Sequence, residues 1–574
     1  MNSDRKTIIY QILPRLFGNR NPACRKNGTL AENGTGKFAD ITFRALSEIR
    51  QLGITHIWYT GIIEHATQTA YAAFGMAGDH AAVVKGIAGS PYAIRDYYDV
   101  DPDLAENVSS RMAEFEDLIE RTHRTGLKVI IDFVANHVAR RYYSDAKPVT
   151  VGNLGRQDDT FRRFAPNNNF YYLPGQALTL HSSAEDRDFG YSEFPARATG
   201  NDCFSLYPSG SDWYDTVKLN YGVDCAGDGS CHFNPVPDTW TKMLDILLFW
   251  AARGVDGFRC DMAGMVPVEF WRWVIPRVRA VRDVCFIAEI YDPEQYRDYL
   301  GGHFDYLYDK VGFYDTLRRV ICGKTGAADI TRCWQRVEDI RDHMLYFLEN
   351  HDEQRIASDF FAGSPEAGFP GLIVAATLHV NPLMIYSGQE LGERGMDEEG
   401  YSGRDGRTTI FDYWSLESIR NWTNGGRFDG ALLTGAQQRL RRACVRLLND
   451  ICREPAIVKG VFFDLMYVNR DNPYFNDHRQ YAFLRKHEQE VMLIAVNFEP
   501  AERTVCVVIP PDAFRLLHIP DNRPAMRTDL FTGEQSLSTL TWACPYETTL
   551  PGYSGKLLKF RYGNIFPPVE GELP

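Results

Sequence analysis

The feature that most constrains the fold is an alternation of short β-branched runs with amphipathic helical stretches along most of the 574 residues. Such alternation favours a parallel sheet, because each strand needs a long crossover, usually a helix, before the next. Eight strands also match a closed barrel, so we predict a (β/α)8 TIM barrel. On the pattern alone, a doubly wound sheet is the alternative. The predicted strands are Thr7–Leu13, Ile54–Thr60, Lys128–Val134, Val255–Cys260, Cys285–Tyr291, Phe304–Tyr308, Leu345–Glu349 and Pro382–Tyr386.

Two segments break the alternation. Residues 139–219 are rich in Asn, Tyr, Phe, Gly and Pro and lack helical periodicity. Because so long a structureless loop is unusual in a compact domain, we predict an inserted subdomain after the third strand. From residue 459 to 574, short strands separated by turns predict a C-terminal antiparallel β-sandwich domain. Residues 1–138 and 220–458 then form the catalytic barrel, with Gln437–Ile451 as its last helix.

Charge and hydropathy exclude two classes of partner. The formal net charge is −13, so we predict no nucleic-acid partner. The longest dense apolar run, Ile246–Ala252, is far shorter than the roughly 20 residues of a membrane span. Met1–Lys6 shows no apolar segment typical of a secretory signal. We therefore expect a cytoplasmic protein if the chain is complete, and a secreted or periplasmic one if a leader has been removed.

Polar clusters stand where four of the predicted strands end. A barrel builds its active site at this carboxyl-terminal face. Each cluster has an ordinary structural explanation when taken alone, since a strand-final Asp is often a helix N-cap and a single His is often structural. The clusters are Asp132-Phe-Val-Ala-Asn136-His137, Gly257-Phe-Arg259-Cys-Asp261, Glu289, and Asn350-His351-Asp352.

Two of these clusters suggest complementary carboxyl groups. Arg259 and Asp261 are two residues apart on a strand and therefore share one face. A neighbouring guanidinium lowers the pKa of a carboxyl, and a permanently ionised carboxylate suits a nucleophile. Glu289 follows the apolar run Phe286–Ala288. Apolar surroundings raise the pKa of a carboxyl, which suits a general acid.

The clusters together predict glycoside hydrolysis. Three carboxylates at three strand ends converge on one mouth, and this chemistry uses one carboxylate for attack and one carboxylic acid for proton donation. No predicted strand is followed by GxGxxG, which argues against a dinucleotide site. The sequence has neither HExxH nor clustered His ligands, which argues against a zinc hydrolase. We predict that the chemistry requires no cofactor.

The four clusters, in this order, resemble the four signature regions of the α-amylase family of glycoside hydrolases. Three further segments are similar to the family's first strand, its GYxxxDYY segment and its eighth strand: Ile9–Phe17, Ser90–Tyr98 and Pro382–Glu390. The resemblance covers nearly the whole chain and implies double displacement with retention of configuration.

The resemblance also implies roles for individual residues. Asp261 would be the nucleophile, Glu289 the general acid and then the general base, and Asp352 a ligand of sugar hydroxyls that distorts the ring. Asp132 would be a buried partner of Arg259. The expected substrate contacts are Arg259, which orients Asp261, His137 and His351, which donate hydrogen bonds to the sugar, Tyr92, which stacks on it, and Arg407 in the loop after the eighth strand.

The chain departs from the family pattern in two places. The stretch Asp261–Val266 lacks the Lys-His pair that follows the nucleophile in many starch hydrolases. The run Val217-Lys218-Leu219-Asn220 carries Lys where calcium-dependent members carry an Asp ligand, which removes a hard oxygen donor. Asn136 remains a candidate calcium ligand, but we expect no structural calcium at the junction of barrel and subdomain.

The function that this pattern favours is cleavage of α-1,4-glucosidic bonds in starch-like glucans or maltooligosaccharides, endo-acting or directed at oligosaccharides. An α-glucan transferase on the same fold is the alternative, because the same three carboxylates serve a sugar acceptor. A non-catalytic glycan-binding protein is a third hypothesis, but such a protein should lack at least one carboxylate. The sequence leaves α-1,4 against α-1,6 preference open.

Overall fold

The computed structural model describes residues 5–180 and 190–563. Within these residues, eight parallel strands close into a barrel in which neighbours in sequence are neighbours in space. The predicted TIM barrel is therefore confirmed, and the doubly wound alternative is wrong. The strands are β1 (Ile8–Ile12), β2 (His56–Tyr59), β3 (Lys128–Val134), β4 (Gly257–Asp261), β5 (Cys285–Ala288), β6 (Tyr306–Tyr308), β7 (Met344–Phe347) and β8 (Leu383–Tyr386).

Alternate residues of the strands fill the inside of the barrel or face the helices, as the two-residue period of a strand requires. Ile9, Trp58, Ile130 and Ile287 belong to a separate cluster of buried side chains from these strands. The outward-facing residues join the large core beneath the helices. The longer barrel helices are Phe43–Gln51, Arg111–Arg124, Asp238–Ala252, Val268–Arg279, Asp315–Ile321, Asp329–Gln335, Phe369–Thr377, Glu417–Thr423 and Gly435–Val445.

The segment between β3 and its helix begins and ends on one antiparallel pair. His137–Ala139 pairs with Thr216–Lys218, so the segment leaves and rejoins the barrel at one place. A two-residue pair between Tyr172–Leu173 and Ala196–Arg197 lies inside it. This arrangement suits the predicted insertion, whose bounds at 139 and 219 stay a prediction; residues 181–189 lie outside the described part of the chain.

The C-terminal part is a β-sheet domain, as predicted. Its strands are β9 (Val461–Asp464), β10 (Gln480–His487), β11 (Glu490–Asn497), β12 (Arg503–Val507), β13 (Arg523–Asp529), β14 (Gln535–Leu540), β15 (Tyr546–Leu550) and β16 (Ser554–Arg561). Six of them form one sheet in the order β9-β10-β11-β16-β13-β14, and β12 pairs with β15 in a second sheet. Residues 1–4 and 564–574 of the predicted domains lie outside the described residues.

None of the helices in residues 5–180 and 190–563 combines the length and the apolar character that a membrane span requires.

Candidate functional site

The four polar clusters meet at the carboxyl ends of β3, β4, β5 and β7. They surround a cavity of about 460 Å³. Six residues that the sequence indicated line this cavity: Tyr92, His137, Asp261, Glu289, His351 and Asp352. The barrel brings them together because the carboxyl ends of all its parallel strands open on one face.

Arg259 joins the two carboxylates that the sequence singled out. Its Nη1 lies 2.7 Å from Asp261 Oδ1, and its Nη2 lies 2.7 Å from Glu289 Oε2. Nη1 also lies 3.2 Å from Asp132 Oδ1, whose Oδ2 accepts a hydrogen bond from Trp58 Nε1. The guanidinium is almost fully buried. One fixed cation therefore sets the positions of both Asp261 and Glu289.

Asp261 has one held oxygen and one free oxygen. Oδ1 accepts a hydrogen bond from Arg259, whereas no donor in the described residues reaches the buried Oδ2. We expected Arg259 to lower the pKa of Asp261, but the pKa is raised, because burial outweighs the attraction of Arg259. A desolvated oxygen without a hydrogen-bond donor is the form in which a carboxylate is most reactive toward an electrophilic carbon.

Glu289 is held on both of its oxygens. Oε2 accepts from the backbone N–H of Met262, and Oε1 accepts from Tyr291 Oη at 2.6 Å. Met262 presents its N–H from a left-handed backbone, with φ of 43°. Burial raises the pKa of Glu289, opposed by Arg259 and assisted by the charges of Asp261 and Asp352. The raised pKa agrees with the expectation for a general acid.

Asp352 is paired with His351, and its pKa is shifted in the opposite direction to that of Glu289. His351 Nε2 lies 3.0 Å from Asp352 Oδ2. Burial disfavours the charged form of Asp352, but His351, Arg259 and Arg407 together lower its pKa. The pKa of Asp352 is therefore lowered, whereas that of Glu289 is raised. Acid–base catalysis makes use of carboxyl groups whose pKa values are shifted apart in this way.

Tyr92, His137 and His351 line the cavity, and each has an aromatic or imidazole neighbour. Tyr92 Oη lies 2.6 Å from His351 Nε2, and the two rings stack with centroids 5.1 Å apart. His137 lies beside Trp213, with ring centroids 5.2 Å apart. Burial lowers the pKa of His137 to about 3, so its imidazole is neutral and can donate one hydrogen bond and accept another.

Two of the predicted substrate contacts, Arg259 and Arg407, are not among the residues that line the cavity. Arg259 is buried behind the carboxylates, whereas the half-exposed guanidinium of Arg407 is bound to Asp405 through Nε at 2.8 Å and Nη2 at 2.6 Å. Its charge still helps to lower the pKa of Asp352. Its predicted contact with the sugar stays a prediction.

The position of the candidate calcium ligand Asn136 does not have the donors of a calcium site. Asn136 Oδ1 accepts a hydrogen bond from Lys218 Nζ at 2.5 Å, and the same ammonium lies 2.9 Å from Asp202 Oδ1. Lys218 Nζ also donates to the carbonyl of Met265. In residues 5–180 and 190–563, no group of three or more His, Cys, Asp or Glu side chains has metal-binding geometry. The lysine amine supplies the positive charge among these oxygens, so the residues present do not fit calcium.

Several residues that line the cavity were not predicted from the sequence. Trp213 and Asp215 come from the inserted segment, Lys85 from the loop after β2, and Phe411 from the loop after β8. The sequence predicts Tyr291 as the last residue of a strand, but in the structure it follows β5 and lines the cavity. Its position two residues after Glu289, on the same side of an extended chain, was the one available signal.

A family model and several known proteins are similar to this chain. The family model described as the alpha amylase catalytic domain matches residues 11–299, which is half of the chain. The chain is 26% identical over 396 residues to "Alpha-amylase MalA" of Haloarcula japonica, covering 68% of this chain and 45% of that protein. It is 21% identical over 408 residues to "Neopullulanase 2" of Thermoactinomyces vulgaris, covering 68% and 57%. The chain thus spans about half the length of these relatives.

A solved structure shares the whole architecture. The maltogenic alpha-amylase AmyB of Thermotoga neapolitana superposes with a TM-score of 0.62, covering 98% of this chain and all of that one, at 20% identity. At this identity, the likeness speaks for the fold.

Proposed function

This chain belongs to the alpha-amylase family, and from that premise we propose that it is a retaining glycoside hydrolase that cleaves α-1,4-glucosidic bonds in starch-like glucans or maltooligosaccharides. The observation that carries the proposal is the Arg259 cluster. One buried guanidinium holds Asp261 and Glu289, both of which line the cavity, and the second oxygen of Asp261 has no hydrogen-bond donor among the described residues.

In the first step, the carboxylate of Asp261 attacks the anomeric carbon while Glu289 gives its proton to the departing glycosidic oxygen. The C–O bond to the leaving sugar breaks as the bond to Asp261 forms, which yields a covalent glycosyl–enzyme. In the second step, Glu289 removes a proton from water, and the oxygen of that water displaces Asp261. Asp352 and the neutral His137 would bind sugar hydroxyls, and Arg259 would keep Asp261 in position.

The test is a product time course from starch and defined maltooligosaccharides with the wild type and Asp261→Asn. We expect the wild type to release shorter oligosaccharides with the α configuration retained, and Asp261→Asn to lose roughly 10⁴-fold in rate. Full activity of Asp261→Asn would contradict the mechanism. Products longer than the starting oligosaccharide would instead support the glucan transferase, which shares these carboxylates. A parallel assay with pullulan as the substrate measures the preference for α-1,6 over α-1,4 bonds.

A further inference from the structure

Three loops meet on one side of the cavity mouth. The loop after β2 contacts the loop after β8 through its backbone, since the N–H of Ala88 donates to the carbonyl of Phe411 at 3.1 Å. Gly86 permits this approach: its φ is +69°, and a Cβ there would lie 2.3 Å from the Phe411 carbonyl oxygen. The buried Arg15 donates to the carbonyls of both loops, at Ala88 and Ile410. These contacts fix the two loops to each other.

The inserted segment closes the third side. Lys85 Nζ of the β2 loop lies 3.0 Å from Asp215 Oδ1, and this carboxylate is almost fully buried. The same ammonium lies 5.6 Å from the ring centroid of Tyr214. Tyr214 Oη meets Tyr401 Oη of the β8 loop at 3.2 Å, and the Tyr401 ring packs on Phe411 at 4.9 Å. We name Lys85, Tyr214, Asp215, Tyr401 and Phe411 the rim.

The rim lies on one particular side of the catalytic carboxylates, and this side determines which end of the substrate chain it faces. In the closed order of the strands, β4 and β5 stand opposite β8 and β1. Glu289 follows β5 and must protonate the leaving group, so the leaving sugar lies toward β5. The glycosyl group that Asp261 captures then lies toward the opposite side, among Tyr92, His351 and Asp352. The rim, built on the loops after β2 and β8 and on the inserted segment after β3, stands beyond that glycosyl group.

We infer that the rim ends the cavity on its donor side, so that the site takes the non-reducing end of an α-glucan and releases short units from that end. A chain that continued past the rim would have to pass through the Tyr214–Tyr401 contact and the Lys85–Asp215 ion pair. The inference rests on the proposed function and specifies its substrate: free chain ends rather than the interior of the polymer. It thereby favours an oligosaccharide-directed enzyme over an endo-acting one.

The experiment compares two maltooligosaccharides of equal length, both with an aryl group at the reducing end. In one of them, an acetal on the non-reducing terminal glucose blocks the chain end. We expect the wild type to cleave the blocked substrate at least about tenfold more slowly than the free one. Equal rates would overturn the inference and leave the proposed function standing. No cleavage of either substrate or of starch would overturn both.

Variants of the rim make the test specific. We expect the double variant Tyr214→Ala and Tyr401→Ala to raise the blocked-to-free rate ratio by about tenfold, because the steric barrier is gone. Tyr401→Ala alone changes an exposed side chain and serves if the double variant does not fold; it should raise the ratio by a smaller factor. Tyr474→Ala, an exposed tyrosine of the C-terminal domain, should leave the ratio unchanged. A ratio that stays at the wild-type value in both rim variants would overturn the inference.

Discussion

On one side of the cavity mouth, Asp261 and Glu289 stand at the ends of the adjacent strands β4 and β5; on the other, Lys85, Tyr214 and Tyr401 come from three separate loops. The first side is anchored by the ladder of the barrel and one buried arginine. The second is anchored by contacts between loops: an ion pair, a contact between two hydroxyls, one backbone hydrogen bond and the hydrogen bonds of the buried Arg15. Chemistry that needs fixed distances lies on rigid strands, whereas substrate selection lies on segments that can vary without disturbing the barrel.

The largest expected effect is on the strand side, at Glu289. We predict that Glu289→Gln loses about a thousandfold in rate on maltooligosaccharides, because an amide cannot deliver a proton to the glycosidic oxygen. The loss should shrink strongly for a substrate whose leaving group departs without protonation, such as a nitrophenyl glycoside. Steady-state rates on both substrates measure this. Glu294→Gln, an exposed neighbour, is the matched control, and an equal loss on both substrates would contradict the assignment.

The strand side was also the more predictable one. The prediction for β3 has the observed bounds, Lys128–Val134, and the two-residue period correctly placed Arg259 and Asp261 on one face. Strand periodicity is a local property, so a motif read along one strand carries its geometry with it. The sign of the Asp261 pKa shift was wrong, because burial depends on how the barrel closes over the residue and not on its neighbours in sequence.

The loop side could not be derived in this way. Tyr214 and Tyr401 touch across a separation of 187 residues. Trp213–Asp215 lie in a segment whose irregular composition gives no period from which a facing side chain could be inferred. Tyr291 was hidden for a related reason: a predicted strand over Cys285–Tyr291 describes its backbone but not its hydrogen bond to Glu289. Pairings between loops depend on the course of the whole chain.

Lys218 connects the inserted segment to the barrel, because its ammonium donates to Asn136 Oδ1 and to the Met265 carbonyl; we call it the lysine tether. We expect Lys218→Met to lower the free energy of unfolding by about 1–3 kcal/mol, because Asn136 Oδ1 and the Met265 carbonyl lose their donor in a buried place. A chelator should leave the melting temperature of the wild type unchanged. Urea titrations and thermal melts measure both effects.

A variant that introduces a carboxylate at the same position tests the role of Lys218 from the other side. Lys218→Asp would place a carboxylate beside Asn136 and Asp202 and should make the melting temperature rise with added calcium. Lys324→Met, an exposed lysine elsewhere, controls for loss of charge. A wild type destabilised by a chelator would contradict the lysine tether.

Tyr291 lies beside Glu289 on the strand side of the mouth, and it lines the cavity. Its hydroxyl donates to Glu289 and so favours the carboxylate, together with Arg259, while burial and the charges of Asp261 and Asp352 favour the acid. Tyr291→Phe should therefore raise the pKa of Glu289 further and move the alkaline limb of the kcat/KM profile to higher pH. The rate itself should change by less than about tenfold, as for one hydrogen bond. A shift of that limb to lower pH, or none relative to Tyr474→Phe, would contradict the hydrogen bond's role.

The smallest expected effect is at Arg407, the predicted sugar contact that the structure places outside the cavity lining. Its guanidinium is half exposed and already bound to Asp405, so Arg407→Ala should raise KM by less than about fivefold, the range of an exposed ion pair. Its remaining influence runs through Asp352, whose pKa its charge helps to lower; losing that charge should move the acidic limb of the rate profile slightly to higher pH. Arg404→Ala, a neighbouring arginine of the same loop, is the control. A rise in KM of a hundredfold would instead mean that the β8 loop turns Arg407 into the cavity when sugar binds, and the loop side of the mouth would then take part in holding the reacting ring as well as in closing the site.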